Sequence, residues 1–317
     1  MNELINLGIL GPGNIASTIT KELDEVEGLN KYAVASRSMK RAKGFSQKFS
    51  FEKAYGSYLD MLSDPKLDLV YIATPHAFHY KQMMLALEHG KMIFCEKAFT
   101  LNYLDAKKVI DKARSKGIFV SEAMVTAYLP STNKLKELID AKIIGNVICY
   151  KGVFGNELMH VERVVNKSLG GGALYDIGIY PLYFCLALFG FNPVIKKVDM
   201  KMYNDIDESE DILLEYENGI KAEINVSIKD FYGYYCDIIG TKGRIHIETF
   251  GMPKVIEVYD NHDNLINKFN FPDNTYKHEF KACVDAINTG QIETEAMPHK
   301  DTLKLLEYID NIYSFNK

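Results

Sequence analysis

The sequence has 317 residues, 47% of them hydrophobic and 25% charged, which is ordinary for a soluble globular protein and long enough for two domains. Its formal net charge of −5, without a long basic run, excludes nucleic acid as the main partner and favours small molecules. Residues 1–10 hold no basic n-region or cleavage site, and the most apolar stretch, 172–189, contains Asp176 and Pro181, so no membrane association and a cytoplasmic location are expected.

Residues 4–10 are an apolar strand followed at once by Gly11-Pro12-Gly13-Asn14-Ile15-Ala16 and a helical stretch to about Val26. This is a G-x-G-x-x-A dinucleotide fingerprint in its strand-turn-helix setting. Gly11 makes the tight turn, Gly13 lets a pyrophosphate approach the backbone, and Ala16 permits close helix packing, with Asn14 and Ile15 opening the helix toward the phosphates. Strands at 31–36, 68–73, 91–95 and 118–122 then alternate with helices near 38–48, 78–89 and 102–116. That rhythm predicts a parallel doubly wound sheet, with ligands outside the carboxyl ends of its strands. Two loops fall there: Thr74-Pro75-His76-Ala77-Phe78-His79 and Glu96-Lys97-Ala98. His76 and His79 lack a second histidine cluster or a cysteine beside them, so no metal is expected. Five widely spaced cysteines, Cys95, Cys149, Cys185, Cys236 and Cys283, read as reduced core thiols.

From about residue 123 the rhythm changes. A helix near 131–142 leads to a strand at 146–154, and then to Gly170-Gly171-Gly172 opening a buried helix in which Pro181 should produce a kink. Asp176 and Tyr180 share one face of it, a carboxylate and a phenol that need partners. The same residues also admit a plainer reading as a flexible loop, a dipole-matched acid and a core tyrosine. Strands are expected at 194–203, 210–217, 220–228, 234–240, 243–248, 254–260 and 264–269, with Asn218-Gly219 as a hairpin turn, and helices at 275–289 and 299–315. The fold class is therefore α/β: a Rossmann domain over 1–122 and an α+β domain over 123–317 with a large, mostly antiparallel open sheet, the last helix free to pack back on the first domain. Ile224, Val226 and Ile238 are expected on the uncovered face, which makes that sheet the route to a homo-oligomer, dimer or tetramer; the alternative is that they face the domain's own helices.

The fingerprint, the Thr-Pro loop, Glu96-Lys97 and the Gly-Gly-Gly-Ala-Leu-Tyr-Asp-Ile-Gly-Ile-Tyr run together resemble the glucose-fructose oxidoreductase and inositol dehydrogenase family, Gfo/Idh/MocA. Tyr180, where many members carry histidine, and Met297-Pro298-His299 resemble its dihydrodiol dehydrogenase and NADP-dependent D-xylose dehydrogenase branch. The resemblance implies a nicotinamide-dependent dehydrogenase or reductase acting on a sugar, polyol or related hydroxy or carbonyl compound. It implies Tyr180 as general acid/base, Lys97 as the cation that lowers the phenol's pKa and contacts substrate oxygen and ribose, Asp176 as a substrate or Lys97 partner, and Arg163 as a substrate contact. Three departures stand out: Ala98 replaces the family's proline, leaving Lys97 less restrained, and Val125 and Ala127 stand where the branch has Trp and Arg. No tryptophan is present to replace the lost stacking wall, and free pentoses are expected to be poor substrates.

Cofactor preference is read from the end of the second strand. Ser36, Arg37 and Ser38 lie where an NAD-specific site places a carboxylate, and Lys40 and Arg41 follow one turn on. Cations in a helix's first turn oppose its dipole, so a bound 2′-phosphate accounts for them, and NADP(H) is expected over NAD(H), which the site would also admit. Two rival readings are an NAD-dependent glycosidase working by transient oxidation and a non-catalytic nucleotide sensor. Retention of both Lys97 and Tyr180 weighs against the sensor.

Overall fold

Short apolar runs separated by turn residues become the strands of two sheets in this computed structural model, which describes residues 4–249 and 251–315. The chain divides into two compact units: residues up to Met124 together with Tyr276–Leu303, and Val125–Thr275 together with the chain from Lys304. The chain thus crosses between units at 124/125, 275/276 and 303/304, rather than once at 122/123.

In the first unit β1 (Ile5–Leu10), β2 (Leu29–Ala35), β3 (Lys53–Tyr55), β4 (Leu69–Ile72), β5 (Met92–Glu96) and β6 (Val120–Ala123) form a six-stranded sheet in the order β3-β2-β1-β4-β5-β6. Every pairing is parallel, and β4 and β5 align Tyr71 with Phe94 and Ile72 with Cys95. Helices cover both faces of such a sheet, which is why its strands read as continuous apolar runs. The helix Tyr103–Lys116 is capped at Asn102, whose side chain accepts from the Asp105 amide at 2.8 Å, and ends on left-handed Gly117. The helix Lys277–Asn288 belongs here because Phe280 packs on Tyr71 and Phe94, with both ring centroids 5.2 Å away. The short strand β3 and the helix Tyr58–Leu62 have no counterpart in the sequence reading.

The second unit is built on an eight-stranded sheet in the order β14-β13-β12-β11-β7-β10-β9-β8. Its strands are β7 (Val147–Gly155), β8 (Val194–Tyr203), β9 (Ile206–Glu215), β10 (Lys221–Ser227), β11 (Gly233–Gly240), β12 (Gly243–Glu248), β13 (Val255–Asp260) and β14 (Leu265–Asn270). Only β7 and β10 pair in parallel. Asn218-Gly219 does turn the β9–β10 hairpin: Gly219 takes a φ of +86°, and the Tyr216 amide donates to the Ile220 carbonyl at 2.9 Å.

The expectation for the uncovered face is corrected. Ile224, Val226 and Ile238 are fully or almost fully buried, and Val226 lies against Gly178 of the central helical segment, so they face the unit's own helices. The opposite parity carries Lys151, Glu223, Asn225, Asp237 and His246, joined by polar pairs such as His246 Nδ1 to Asp237 Oδ1 at 2.7 Å. Residues 167–189 are apolar and long enough in composition to cross a membrane, yet 78% of that window is buried inside the fold. The five cysteines are free, and all but Cys149 are fully buried.

Candidate active site

In the first unit the glycine turn has the shape the fingerprint requires. Gly11 takes a φ of +98°, and a side chain there would meet the Thr74 methyl at 2.7 Å, so only glycine fits. At Gly13 a Cβ would find only the Ala73 carbonyl at 3.9 Å, which leaves open space over the backbone for a diphosphate. The first helical hydrogen bond runs from the Ser17 amide to the Gly13 carbonyl at 3.0 Å, so the amides of Asn14, Ile15 and Ala16 emerge from the helix end. Asn14 is exposed, Ile15 half-buried and Ala16 wholly buried in the packing role foreseen for it.

The cationic turn after β2 comes back to these glycines. Ser36 is buried and its hydroxyl accepts from the Ser38 amide at 3.3 Å, while Ser38 in turn caps the helix by accepting from the Arg41 amide at 3.4 Å. Arg37 and Arg41 are exposed, and an Arg41 Nη lies 3.4 Å from the Pro12 carbonyl inside the glycine turn. Both guanidiniums act on Tyr58: burial pushes this phenol's pKa up, and Arg37 and Arg41 pull it back. Tyr58, brought in by the unforeseen helix after β3, extends the candidate cofactor surface.

The loops after β4 and β5 are tied to each other. His79 is wholly buried, with Nδ1 2.8 Å from the Ala98 carbonyl and Nε2 2.8 Å from the Thr74 carbonyl. Burial is the main cause of its lowered pKa. His79 therefore ties both loops together, and beside it Thr74, whose hydroxyl donates to Gln82 at 2.6 Å, and Pro75 are half-buried. His76 is buried beside His79, the rings nearly perpendicular at 5.8 Å. Glu96 is buried and accepts from the Tyr71 hydroxyl. Lys97 is half-buried at the strand's carboxyl end, and the Lys97–Ala98 peptide is cis. Proline is thus absent, but the loop is bound: Ala98 by His79, and the Phe99 amide by the carboxylate of Glu122 at 3.2 Å.

In the second unit Leu174–Gly178 is wound as a π-helix that runs into the α-helix Ile179–Phe189. Pro181 has no amide to give to the turn before it, and that turn is the wide one. The glycines before it are packed, not loose. A side chain on Gly171 would strike the Val164 carbonyl, and one on Gly172, with φ +129°, would strike the Asp207 carboxylate. Asp207 is buried; it accepts from the Leu174 amide at 2.6 Å and from the Tyr313 hydroxyl at 2.8 Å, fixing where the helix starts.

On that helix Asp176 is buried and Tyr180 half-buried. Arg163, exposed on the short helix Glu162–Val165, pairs through Nη1 with an Asp176 oxygen, so these two predicted substrate residues are brought together. Val125 and Ala127 are buried packing residues. An aromatic surface does stand by Tyr180, contrary to the expectation that none replaces the lost tryptophan: Phe154 is 6.2 Å from Tyr180 and 5.5 Å from Tyr234, ring centre to ring centre. Phe154 and Tyr234 are cross-strand neighbours on β7 and β11, a pairing that sequence spacing does not reveal. Among the described residues no group of three or more His, Cys, Asp or Glu side chains converges to hold a metal.

Comparison with known proteins identifies the family. Residues 5–124 match the GFO_IDH_MocA description, an oxidoreductase family with an NAD-binding Rossmann fold, and residues 132–246 match the GFO/IDH/MocA C-terminal domain. The chain is 32% identical over 255 residues to trans-1,2-dihydrobenzene-1,2-diol dehydrogenase of Mus musculus, covering 79% of this chain and 77% of that protein. It is 33% identical over 244 residues to the Homo sapiens protein of the same name, covering 76% and 73%. Among solved structures, KijD10, a 3-ketoreductase from Actinomadura kijaniata in complex with NADP and TDP-benzene, superposes with a TM-score of 0.91 at 22% identity over 98% of both chains. The aldose-aldose oxidoreductase from Caulobacter crescentus, complexed with glycerol, gives 0.89 at 20% identity, over 98% of this chain and 97% of that one. At those identities the two structures speak for the fold.

Proposed function

Since the chain belongs to the GFO/IDH/MocA family of NAD(P)-dependent oxidoreductases, we propose that it transfers hydride between NADP(H) and a sugar, polyol or related hydroxy or carbonyl compound. The observation that carries the cofactor choice is the return of Arg41 to the glycine turn, 3.4 Å from the Pro12 carbonyl, with Arg37 exposed beside it and no carboxylate in the Ala35–Ser38 turn. Guanidiniums there can bind a 2′-phosphate through charge-assisted hydrogen bonds, whereas a free ribose hydroxyl gives them no anion. NADP in the KijD10 complex accords with the same choice.

The nicotinamide supplies or accepts the hydride, so the protein has to bind the substrate and handle one proton on its oxygen. Tyr180 is assigned that proton exchange: its phenol is the partly exposed group on an otherwise buried stretch. Lys97 is assigned to the substrate oxygen and the cofactor ribose, and the Asp176–Arg163 pair to neighbouring substrate hydroxyls. Assembly into a homo-oligomer through the second sheet uses the face bearing Lys151, Glu223, Asp237 and His246.

The test is cofactor absorbance with NADP(H) and NAD(H) in parallel across aldoses, ketoses, dicarbonyls, inositols and dihydrodiols. Net, stoichiometric turnover with NADP(H) at the lower KM is expected, and kcat/KM for free D-xylose should be low within the panel. Equal KM for both cofactors would refute the cofactor assignment, and absence of net redox turnover on the whole panel would refute the activity.

A further inference from the structure

The proline missing after Lys97 leaves the question of what holds that loop, and a buried carboxylate outside the predicted site answers it. Glu122 is the next-to-last residue of β6, in register with Cys95 of β5, and is 1% exposed. Its Oε1 accepts from the Phe99 amide at 3.2 Å, and its Oε2 accepts from the Thr302 hydroxyl at 2.8 Å. Each carboxylate oxygen is thus committed to a different partner, one on the lysine loop and one in the first turn of the helix His299–Phe315. From the other side His79 engages Ala98. We propose that Glu122 is a positioning residue for Lys97: held by Thr302, its carboxylate fixes the backbone immediately after Lys97 and sets its negative charge beside the lysine ammonium. This rests on the assignment of Lys97 to substrate and ribose given above.

The charge state of Glu122 decides whether the brace works. A carboxylate accepts at both oxygens with a full negative charge, while a protonated carboxyl can still accept from the Phe99 amide and donate to the Thr302 oxygen but loses the charge that strengthens both bonds and acts on the Lys97 ammonium. Burial pushes the Glu122 pKa up to about 7, with Glu96 adding to the rise and the hydrogen bonds from Thr302 and Phe99, together with the charge of Lys97, opposing it. The groups acting on it are therefore Cys95, Glu96 and Lys97 from the β5 side and Thr302 from the helix, while His299 on the same helix is turned to the Val120 carbonyl, 2.7 Å from its Nε2, and burial lowers its pKa. The positioned state is the ionised one, so activity should fall on the acid side as Glu122 takes up a proton.

The experiment compares kcat/KM against pH for the full chain, wild type beside Thr302→Val, Glu122→Gln and Lys97→Met, with NADPH affinity followed by fluorescence. Thr302→Val removes a hydrogen bond that favours the charged form and should move the acidic limb upward by about one pH unit, the size expected for one hydrogen bond to a charged group. Glu122→Gln keeps the shape and an acceptor for Phe99 but cannot ionise; it should flatten that limb and lower plateau kcat about ten-fold, with KM nearly unchanged, as for an interaction serving the transition state. A merely structural role would alter melting and leave the pH profile where it was. Should Glu122→Gln fail to fold, Thr302→Val decides alone. A wild type without an acidic limb, or a limb that Thr302→Val leaves in place, overturns the proposal. Full activity in Lys97→Met would instead overturn the assignment of Lys97, whereas an inactive Lys97→Met with unmoved limbs in the other variants sinks only the role of Glu122.

Discussion

The lysine loop of the first unit and the tyrosine helix of the second hold their functional groups by different means. Lys97 follows the last residue of a central parallel strand, and its neighbours are tied by groups on the two adjacent strands and their loops, His79 after β4 and Glu122 on β6. Strand order alone brings these together. Asp176 and Tyr180 sit on a π-to-α segment whose start is set by Asp207, a buried carboxylate on β9, and whose flank meets Val226 of β10 and Phe154 of β7. Here position follows from long-range packing. The lysine loop should respond to changes at the neighbouring strand ends and at the helix starts that carry His79 and Thr302, while the tyrosine helix should respond to substitutions on strands distant in sequence.

The largest effect belongs to the group assigned the proton. Tyr180→Phe should lower kcat by about 10² to 10⁴ with little change in NADPH affinity, since it removes a donor and almost no volume. Near-normal turnover in steady-state assays would remove Tyr180 from the mechanism. The packing half of the comparison is probed next by Asp207→Asn. An amide can accept from the Leu174 amide and donate its NH2 to the Tyr313 oxygen, but both bonds lose the carboxylate's charge, at a cost of about 2 kcal/mol. The expected result is a melting temperature lower by about 6 °C, together with a fall in kcat as the segment carrying Asp176 shifts. A destabilised variant with unchanged kcat would show that the start of the helix and its functional face are independent.

What the sequence disclosed divides along the same line. Gly11, Gly13 and Ala16, the Thr74–His79 loop and Lys97 are all local to a strand's end, so a strand-turn-helix pattern suffices to place them. The pattern failed where burial reverses a residue's usual meaning. Glu122, Asp207 and Glu210 are charged residues in strands, which alternation assigns to solvent, yet all three are buried. The same limit explains Ile224, Val226 and Ile238: alternation separates two faces of a strand but does not say which face the helices cover. In β7 the inward positions are Tyr150, Gly152 and Phe154, a phenol, a gap and a half-buried ring, so its apolar signal points weakly to either side. The strand β3 is three residues long with Lys53 at its head, too short to carry a period, and the helix bearing Tyr58 was lost with it.

Arg37→Ala tests the most local of these readings. It should weaken NADPH binding by about 1.5–3 kcal/mol, the range for a hydrogen bond to a charged group, and leave NADH binding nearly unchanged. Because Arg37 is exposed and Arg41 holds the glycine turn from its own position, no change in melting is expected. An equal loss for both cofactors, measured by fluorescence titration at one fixed salt concentration, would show that Arg37 binds a part of the dinucleotide common to both.

The smallest effect has the opposite sign to that of Asp207→Asn, and it separates a satisfied buried carboxylate from an unsatisfied one. Glu279, on the helix Lys277–Asn288 of the first unit, is fully buried and neither carboxyl oxygen has a hydrogen-bond partner. Burial first, and then the charges of Glu96 and Glu22, push its pKa well above the ordinary carboxylate value. With the folded pKa raised, folding favours the protonated form. Below the unfolded pKa of about 4.3 both states carry the proton and nothing is lost; as pH rises above it the unfolded chain ionises freely while the fold keeps the proton, and stability falls until the folded pKa is passed. Glu279→Gln removes that titration. The variant's melting temperature should therefore gain on wild type between pH 5 and pH 8, by about 2 °C for roughly 1 kcal/mol, and the two should converge toward pH 4. Glu279→Gln melting curves that run parallel to wild type across this range would mean that Glu279 is ionised in the fold with a partner, held in the same way as Asp207.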